Sequence, residues 1–169
     1  MLKKTKCQVH TFDCTGQVAR FTKIPNSDRQ HFHHICLGGM EQKGLGSGKA
    51  CKSSASLCGD TMTLEQIQSL LGHSKIDLLK IDIEGWEWPI FDIEHTNANM
   101  PMQVLMEVHY TVGINDGTRG VVHDHAMRSA MDIIRLQSHL LGFGYVVVNK
   151  DDNPWCAHCT ELTLVRVSC

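Results

Sequence analysis

The segment that most constrains this chain is Ile76 to Phe91, IDLLKIDIEGWEWPIF, an apolar run carrying Lys80, Asp82 and Glu84 at every second position. Ionised groups buried without partners are costly. In a strand, residues two apart share a face, so the three charges form one row and Leu79, Ile81 and Ile83 the other. The two acids fall at the carboxyl end, just before Gly85. In open α/β sheets ligands bind in the crevice outside the carboxyl ends of the strands. The row therefore reads as facing a wet, functional cleft, with Lys80 paired to a neighbouring acid. The alternative is a half-exposed strand with a surface row of ion pairs.

A second strand, MQVLMEVHY from Met102 to Tyr110, repeats the device, because Glu107 and His109 share a face near its carboxyl end. If the two strands are parallel neighbours, Asp82, Glu84, Glu107 and His109 converge on one crevice. Titratable groups in contrasting environments are what general acid–base work requires. The alternative is a carboxylate that orients an imidazole for structural reasons.

Around these strands the pattern alternates. Gln8 to Phe12 reads as a short strand ending at Asp13, and His31 to Leu37 as another closed by Gly38-Gly39. Residues 40 to 60, rich in Gly, Ser and Lys, read as an exposed loop. Thr63 opens a helix with Leu64, Ile67, Leu70 and Leu71 at helical spacing, Gln66 at capping-box distance and Gly72 as its stop. A short helix is predicted over residues 86–95, where Pro89 is tolerable only in the first turn. A longer one runs from Asp124 to Leu141, with Met127, Ala130, Met131, Ile134 and Leu141 on its apolar stripe. Tyr145–Asn149 and Glu161–Val167 form a hairpin-like end. Strands alternating with helices imply an α/β domain, residues 1–169, whose mostly parallel sheet carries an antiparallel C-terminal edge.

Apolar residues at 42% and charged residues at 20% mark a globular chain rather than a disordered one. A net charge of −2 with no basic tract gives no electrostatic reason to expect a nucleic acid partner. Nothing approaches the run of about 20 apolar residues that a membrane helix needs. The first residues carry lysines with no apolar run behind them, so no secretory signal is expected. Eight cysteines without the dense spacing of a disulfide scaffold leave the compartment open.

The segment IDLLKIDIEGWEWPIF resembles the signature of the FkbM-type methyltransferases and the methyltransferase-like proteins related to them. The likeness continues in order through VHTFDCT, HHICLGG, TLEQIQSLLGHSKIDLLKIDIEGWE, VLMEVHY and GYVVVNKDDNPWCAHCTELTLVRV, nearly the whole chain. It implies S-adenosylmethionine as cofactor and a doubly wound, Rossmann-like class I sheet. It also implies that Asp13 holds the ribose hydroxyls and that Asp82 stands beside the cofactor's methionine part. A carboxylate can accept both vicinal hydroxyl protons, which suits the role implied for Asp13. Such enzymes begin with a strand and an E/D-x-G-x-G turn, whereas this sequence opens at what should be the second strand. The first strand and helix are expected to be missing. A sheet without that central strand is expected to be marginally stable and to bind the cofactor weakly.

On this resemblance the chain transfers a methyl group to an oxygen or nitrogen of an unidentified small-molecule, glycan, lipid or protein acceptor. Glu107 with His109 is the first candidate for accepting the acceptor's proton, and Glu84 the second. The rival expectation is a catalytically inactive unit that keeps the fold for binding or regulation. No metal is required. The CAHC of Cys156–Cys159 has CxxC spacing, but a zinc site needs a second pair of ligands brought near, and a strand follows. A disulfide or two plain thiols are expected there, without zinc. The Gly-rich Glu41–Lys49 fails the phosphate-loop pattern at Lys43 and Ala50. His31 and His33 read as half-exposed strand residues, and His123 and His125 as the start of the long helix. Trp86 and Trp88 shape an acceptor pocket or pack the core, with at least one of them in the core.

Overall fold

The computed structural model describes residues 4–14, 28–38, 60–83, 85–91, 99–110, 128–156 and 159–167. The chain divides into two compact units, Met1–Leu64 and Glu65–Cys169. The elements, eight strands and three helices among the described residues, are of mixed α/β type. Among the described residues no helix is long and apolar enough to cross a membrane.

The first unit is built from short parallel pairs. Strand β1 (Val9–Phe12) lies beside β2 (Gln30–His33), and β3 (Ile35–Leu37) beside β4 (Asp60–Met62). The single strand expected over His31–Leu37 is thus two, broken at His34, and Asp60 belongs to a strand rather than to the preceding loop. In the β1–β2 register His10 faces His31 and Phe12 faces His33, so four rings share one face. His10 stacks on His31 with centroids 4.7 Å apart, and its Nδ1 lies 2.9 Å from His33 Nε2. Partial burial and the neighbouring His31 hold the His33 pKa below its usual value. A disulfide joins Cys14, just after β1, to Cys36 in β3.

Helix α1 (Leu64–Leu71), all but its first residue in the second unit, stops at Gly72 with φ of +66°. His73 N–H then donates to the Gln68 carbonyl at 2.9 Å, satisfying one of the last helical carbonyls. Strand β5 (Leu78–Ile81) follows, shorter than its apolar run, and then the single turn α2 (Glu87–Ile90). Strands β6 (Gln103–His109), β7 (Tyr145–Asp151) and β8 (Cys159–Arg166) complete a sheet in the order β5-β6-β8-β7. β5 and β6 are parallel, and β8 runs antiparallel between β6 and β7. β8 begins at Cys159, two residues before the sequence pattern placed it.

Helix α3 (Ala130–Gly142) starts at a capping box, in which the Ser129 hydroxyl and the Asp132 backbone and side chain bond reciprocally. Its buried residues are Leu136 and Leu140. The stripe expected from the sequence is overturned here: Met131, Ile134 and Leu141 are all exposed, and Met127 lies outside the described residues. At about 100° per residue, Leu136 and Leu140 lie on the opposite side of the helix from that stripe; apolar residues occupy both sides, and packing over the strands selects the Leu136–Leu140 side. Val104, Met106 and Val108 of β6 are buried, as are Leu162 and Leu164 of β8. Opposite residues of an antiparallel pair share a face, so these five form one apolar layer.

Candidate active site

The other face of the same strands carries the chemistry. Leu105, Glu107 and His109 alternate with the apolar layer, and the parallel register sets Lys80 beside Leu105 and Ile81 beside Met106. Asp82, one residue past β5, therefore follows Lys80 along the face that holds Glu107. When Asp82 is protonated, its carboxyl group can donate a hydrogen bond to Glu107. Lys80 and Asp82 remain exposed, while Glu107 and His109 are buried at 7% and 5% exposure. The burial of the last two is the unusual feature, because each must then find partners.

They find them. His109 Nδ1 lies 3.2 Å from Oε1 of Glu87, which is itself only 1% exposed. Glu87 also accepts from the backbone N–H of Ile83 at 2.7 Å and of Gly85 at 3.0 Å. Gly85 has φ of +100°, a conformation that favours glycine and that turns its N–H onto the carboxylate. Trp88 Nε1–H donates to the His109 carbonyl at 2.8 Å, so this buried indole ties α2 to the end of β6. Glu107 accepts from the Asn153 amide at 3.0 Å, and its Oε1 is 2.8 Å from Cys159 Sγ. Cys159 stands directly opposite His109 in the β6–β8 ladder and is disulfide-bonded to Cys156.

The electrostatics follow from this crowding. Partial desolvation raises the Asp82 pKa, and the Glu107 charge and the hydrogen bond to Glu107 raise it further; Lys80 and His109 oppose the shift. Three of the expected site residues, Asp82, Glu107 and His109, thus come together at the carboxyl end of a parallel pair. Asp13 lies in the first unit, just past β1, where its N–H donates to the His33 carbonyl at 3.2 Å. Glu84 lies outside the described residues, as do His123, His125 and the Glu41–Lys49 loop.

Glu87 was missed from the sequence. It sits between two tryptophans in a segment read for packing, and its partner is 22 residues away. The sheet pattern gave no cue, because Glu87 reaches the site from a helix. Neither described cavity is lined by the cluster; one lies between α3 and the apolar layer, and the other beside the C-terminal end of α1.

Asp82, Glu107 and His109 thus gather at the carboxyl end of a parallel strand pair, the end at which open α/β sheets bind ligands. The chain matches the family described as "Methyltransferase domain" over residues 1–166, and it belongs to that family. No curated protein and no solved structure matches it significantly.

Proposed function

We propose that the protein is an S-adenosylmethionine-dependent methyltransferase of the FkbM-type branch, acting on an oxygen or nitrogen acceptor. The observation that carries the reading is membership of a methyltransferase family over residues 1–166, joined to acids placed just past parallel strands. A Rossmann-like sheet is supported by three parallel strand pairs and by the order β5-β6-β8-β7, with its antiparallel end. Because the family match runs through both compact units, we take residues 1–169 as one methyltransferase domain.

The residues suit the cofactor in kind. Asp13 would accept the ribose hydroxyl protons, and Asp82 would stand beside the amino-acid part. When bound, the cofactor supplies a methyl group already activated on sulfonium sulfur, so alignment of the acceptor does most of the catalytic work. Where the acceptor must lose a proton, His109 is the group to receive it, with Glu87 fixing its ring and stabilising the imidazolium. Glu107 and Glu84 are the neighbouring carboxylates able to share that task.

Calorimetric titration of the full chain with S-adenosylmethionine tests the reading, with Asp82→Asn and Asp13→Asn as comparisons. Saturable binding weakened at least tenfold by either change is expected. No heat of binding by the wild-type chain would favour the non-catalytic alternative, a unit that keeps the fold for other partners.

A further inference from the structure

A zinc site at CAHC needs a second pair of ligands, and the strand register supplies one. Cys159 opens β8 directly opposite His109 of β6, and Glu107 lies two residues earlier on the same face. Cys156 reaches the same point through a tight turn, in which its N–H bonds the Asn153 carbonyl at 3.1 Å and Cys159 N–H bonds the Cys156 carbonyl at 3.3 Å. As a result, one ligand atom from each of Glu107, His109, Cys156 and Cys159 lies within 4.8 Å of every other. A tetrahedral zinc ion with ordinary bond lengths needs separations of about 3.3–3.8 Å. Opening the disulfide and small side-chain adjustments would bring the four to that spacing.

Three further features suit a metal. The set offers two thiolates, an imidazole and a carboxylate, a mixture that favours zinc over calcium or magnesium. Its ligands are already oriented from behind, His109 through Nδ1 by buried Glu87 and Glu107 by Asn153. Such outer carboxylate–histidine pairs fix the ring nitrogen that binds the metal. Finally, Glu107 Oε1 lies 2.8 Å from Cys159 Sγ, and an ionised carboxylate gains from a sulfur only when a proton or a cation accompanies it. A disulfide sulfur carries neither. The oxygen-rich trio Asp82, Glu87 and His109 is a poorer choice, since Glu87 is already committed to two backbone N–H groups.

We propose that, once the Cys156–Cys159 disulfide is reduced, the second unit binds one zinc ion through Cys156, Cys159, His109 Nε2 and Glu107. Reduction by a dithiol transfers two electrons and two protons to the sulfurs and leaves the reductant as its disulfide. Zinc then displaces the two thiol protons to solvent and bonds both thiolates, the neutral imidazole and the carboxylate. Metal and acceptor-proton roles exclude each other, so a bound ion withdraws Glu107 and His109 from proton transfer. The metal site does not depend on the chain being a methyltransferase.

Cobalt(II) titration of the reduced full chain is the test, because the ion's absorption reports both thiolate bonding and tetrahedral geometry. One cobalt per chain is expected, with thiolate charge-transfer bands, intense tetrahedral d–d absorption and displacement by zinc. The oxidised chain should give none of these bands. Cys156→Ser should abolish the spectrum, and His109→Gln and Glu107→Gln should each weaken binding at least tenfold. Glu87→Gln should weaken it by about 10–100-fold, the usual cost of losing an outer-shell partner. The proposal fails if the reduced chain gives no such spectrum. It fails equally if the spectrum survives Cys156→Ser, which would assign it to other cysteines. Circular dichroism identifies any unfolded variant; Cys156 lies on a half-buried turn, so its substitution decides the matter if a core variant does not fold.

Discussion

Glu87 serves three partners with two oxygens: the N–H groups of Ile83 and Gly85, and the His109 ring. Replacing it by Gln turns one acceptor into a donor aimed at N–H or imidazole, at a side chain that is buried. Glu87→Gln is therefore expected to cost about 2–3 kcal/mol in denaturant unfolding, the scale for leaving a buried donor without its charged acceptor. Glu107→Gln should cost less, about 1 kcal/mol, because the amide oxygen can still accept from Asn153. Equal losses at the two positions would show that Glu87 is not the organising acid. Asp82 behaves in the opposite sense. Its pKa is raised in the folded state, so the native protein holds this proton more tightly than the unfolded chain does. Between the unfolded value near 3.8 and the higher folded value, stability must then fall as pH rises. Asp82→Asn should remove that part of the slope and stabilise the protein at neutral pH, since the Asn amide can donate to Glu107. Unfolding titrations across that pH range check it; a variant less stable than wild type at neutral pH would contradict the sign. A site that strains its own fold in this way is common where an acid is kept for binding.

At the scale of elements, the cap of α3 explains why this helix begins where it does. Ser129 and Asp132 satisfy each other's backbone groups, and Asp132 is held below its usual pKa, first by the Ser129 backbone N–H and then by its hydroxyl. Ser129→Ala should cost about 1 kcal/mol. With wild type, this Asp132 contribution is present above the unfolded pKa and lost as pH falls through the folded one; the Ala variant should show a weaker dependence there. Helix content measured by circular dichroism against denaturant, at two pH values, is the check. The same element shows what sequence periodicity could and could not reveal. A helix in this region was legible from its apolar spacing, but its buried face was not, because apolar residues lie on both sides and only tertiary packing selects the Leu136–Leu140 side. The strands were legible where alternation was strong: Lys80, Asp82, Glu107 and His109 were assigned their face from period two alone. The broken strand at His34 and the two-residue extension of β8 were not legible, since three- and four-residue strands carry too little pattern. The pairing of Cys159 with His109 depends on register across 50 residues, and no local spacing encodes it. The CxxC was visible, but its neighbours were not.

At the scale of the molecule, the two compact units are held by different means. Among the described residues of the first unit only Cys14, Gly38 and Thr61 are buried, so its strands have little apolar core to hold them. Small cores of this kind depend on cross-links. The Cys14–Cys36 bond spans 22 residues, and closing a loop of that length stabilises by about 3 kcal/mol in the chain-entropy account. The second unit instead buries Val104, Met106, Val108, Leu162 and Leu164 in one layer, and its Cys156–Cys159 bond spans three residues, too few to restrict the unfolded chain much. A dithiol that opens both bonds should therefore act unequally. Hydrogen exchange should show the amides of β1 and β2 losing protection while those of β6 and β8 keep theirs. Zinc added to the reduced chain should then protect Cys159 and Thr160 at the start of β8 further, because a metal that binds only the folded site stabilises it by mass action. It should leave β1 and β2 as the reductant left them, since their disulfide has no metal ligand set among the described residues. If β1 and β2 keep full protection after reduction, the cross-link is not what holds the first unit; if zinc protects both units alike, the ion is not seated at Cys156 and Cys159.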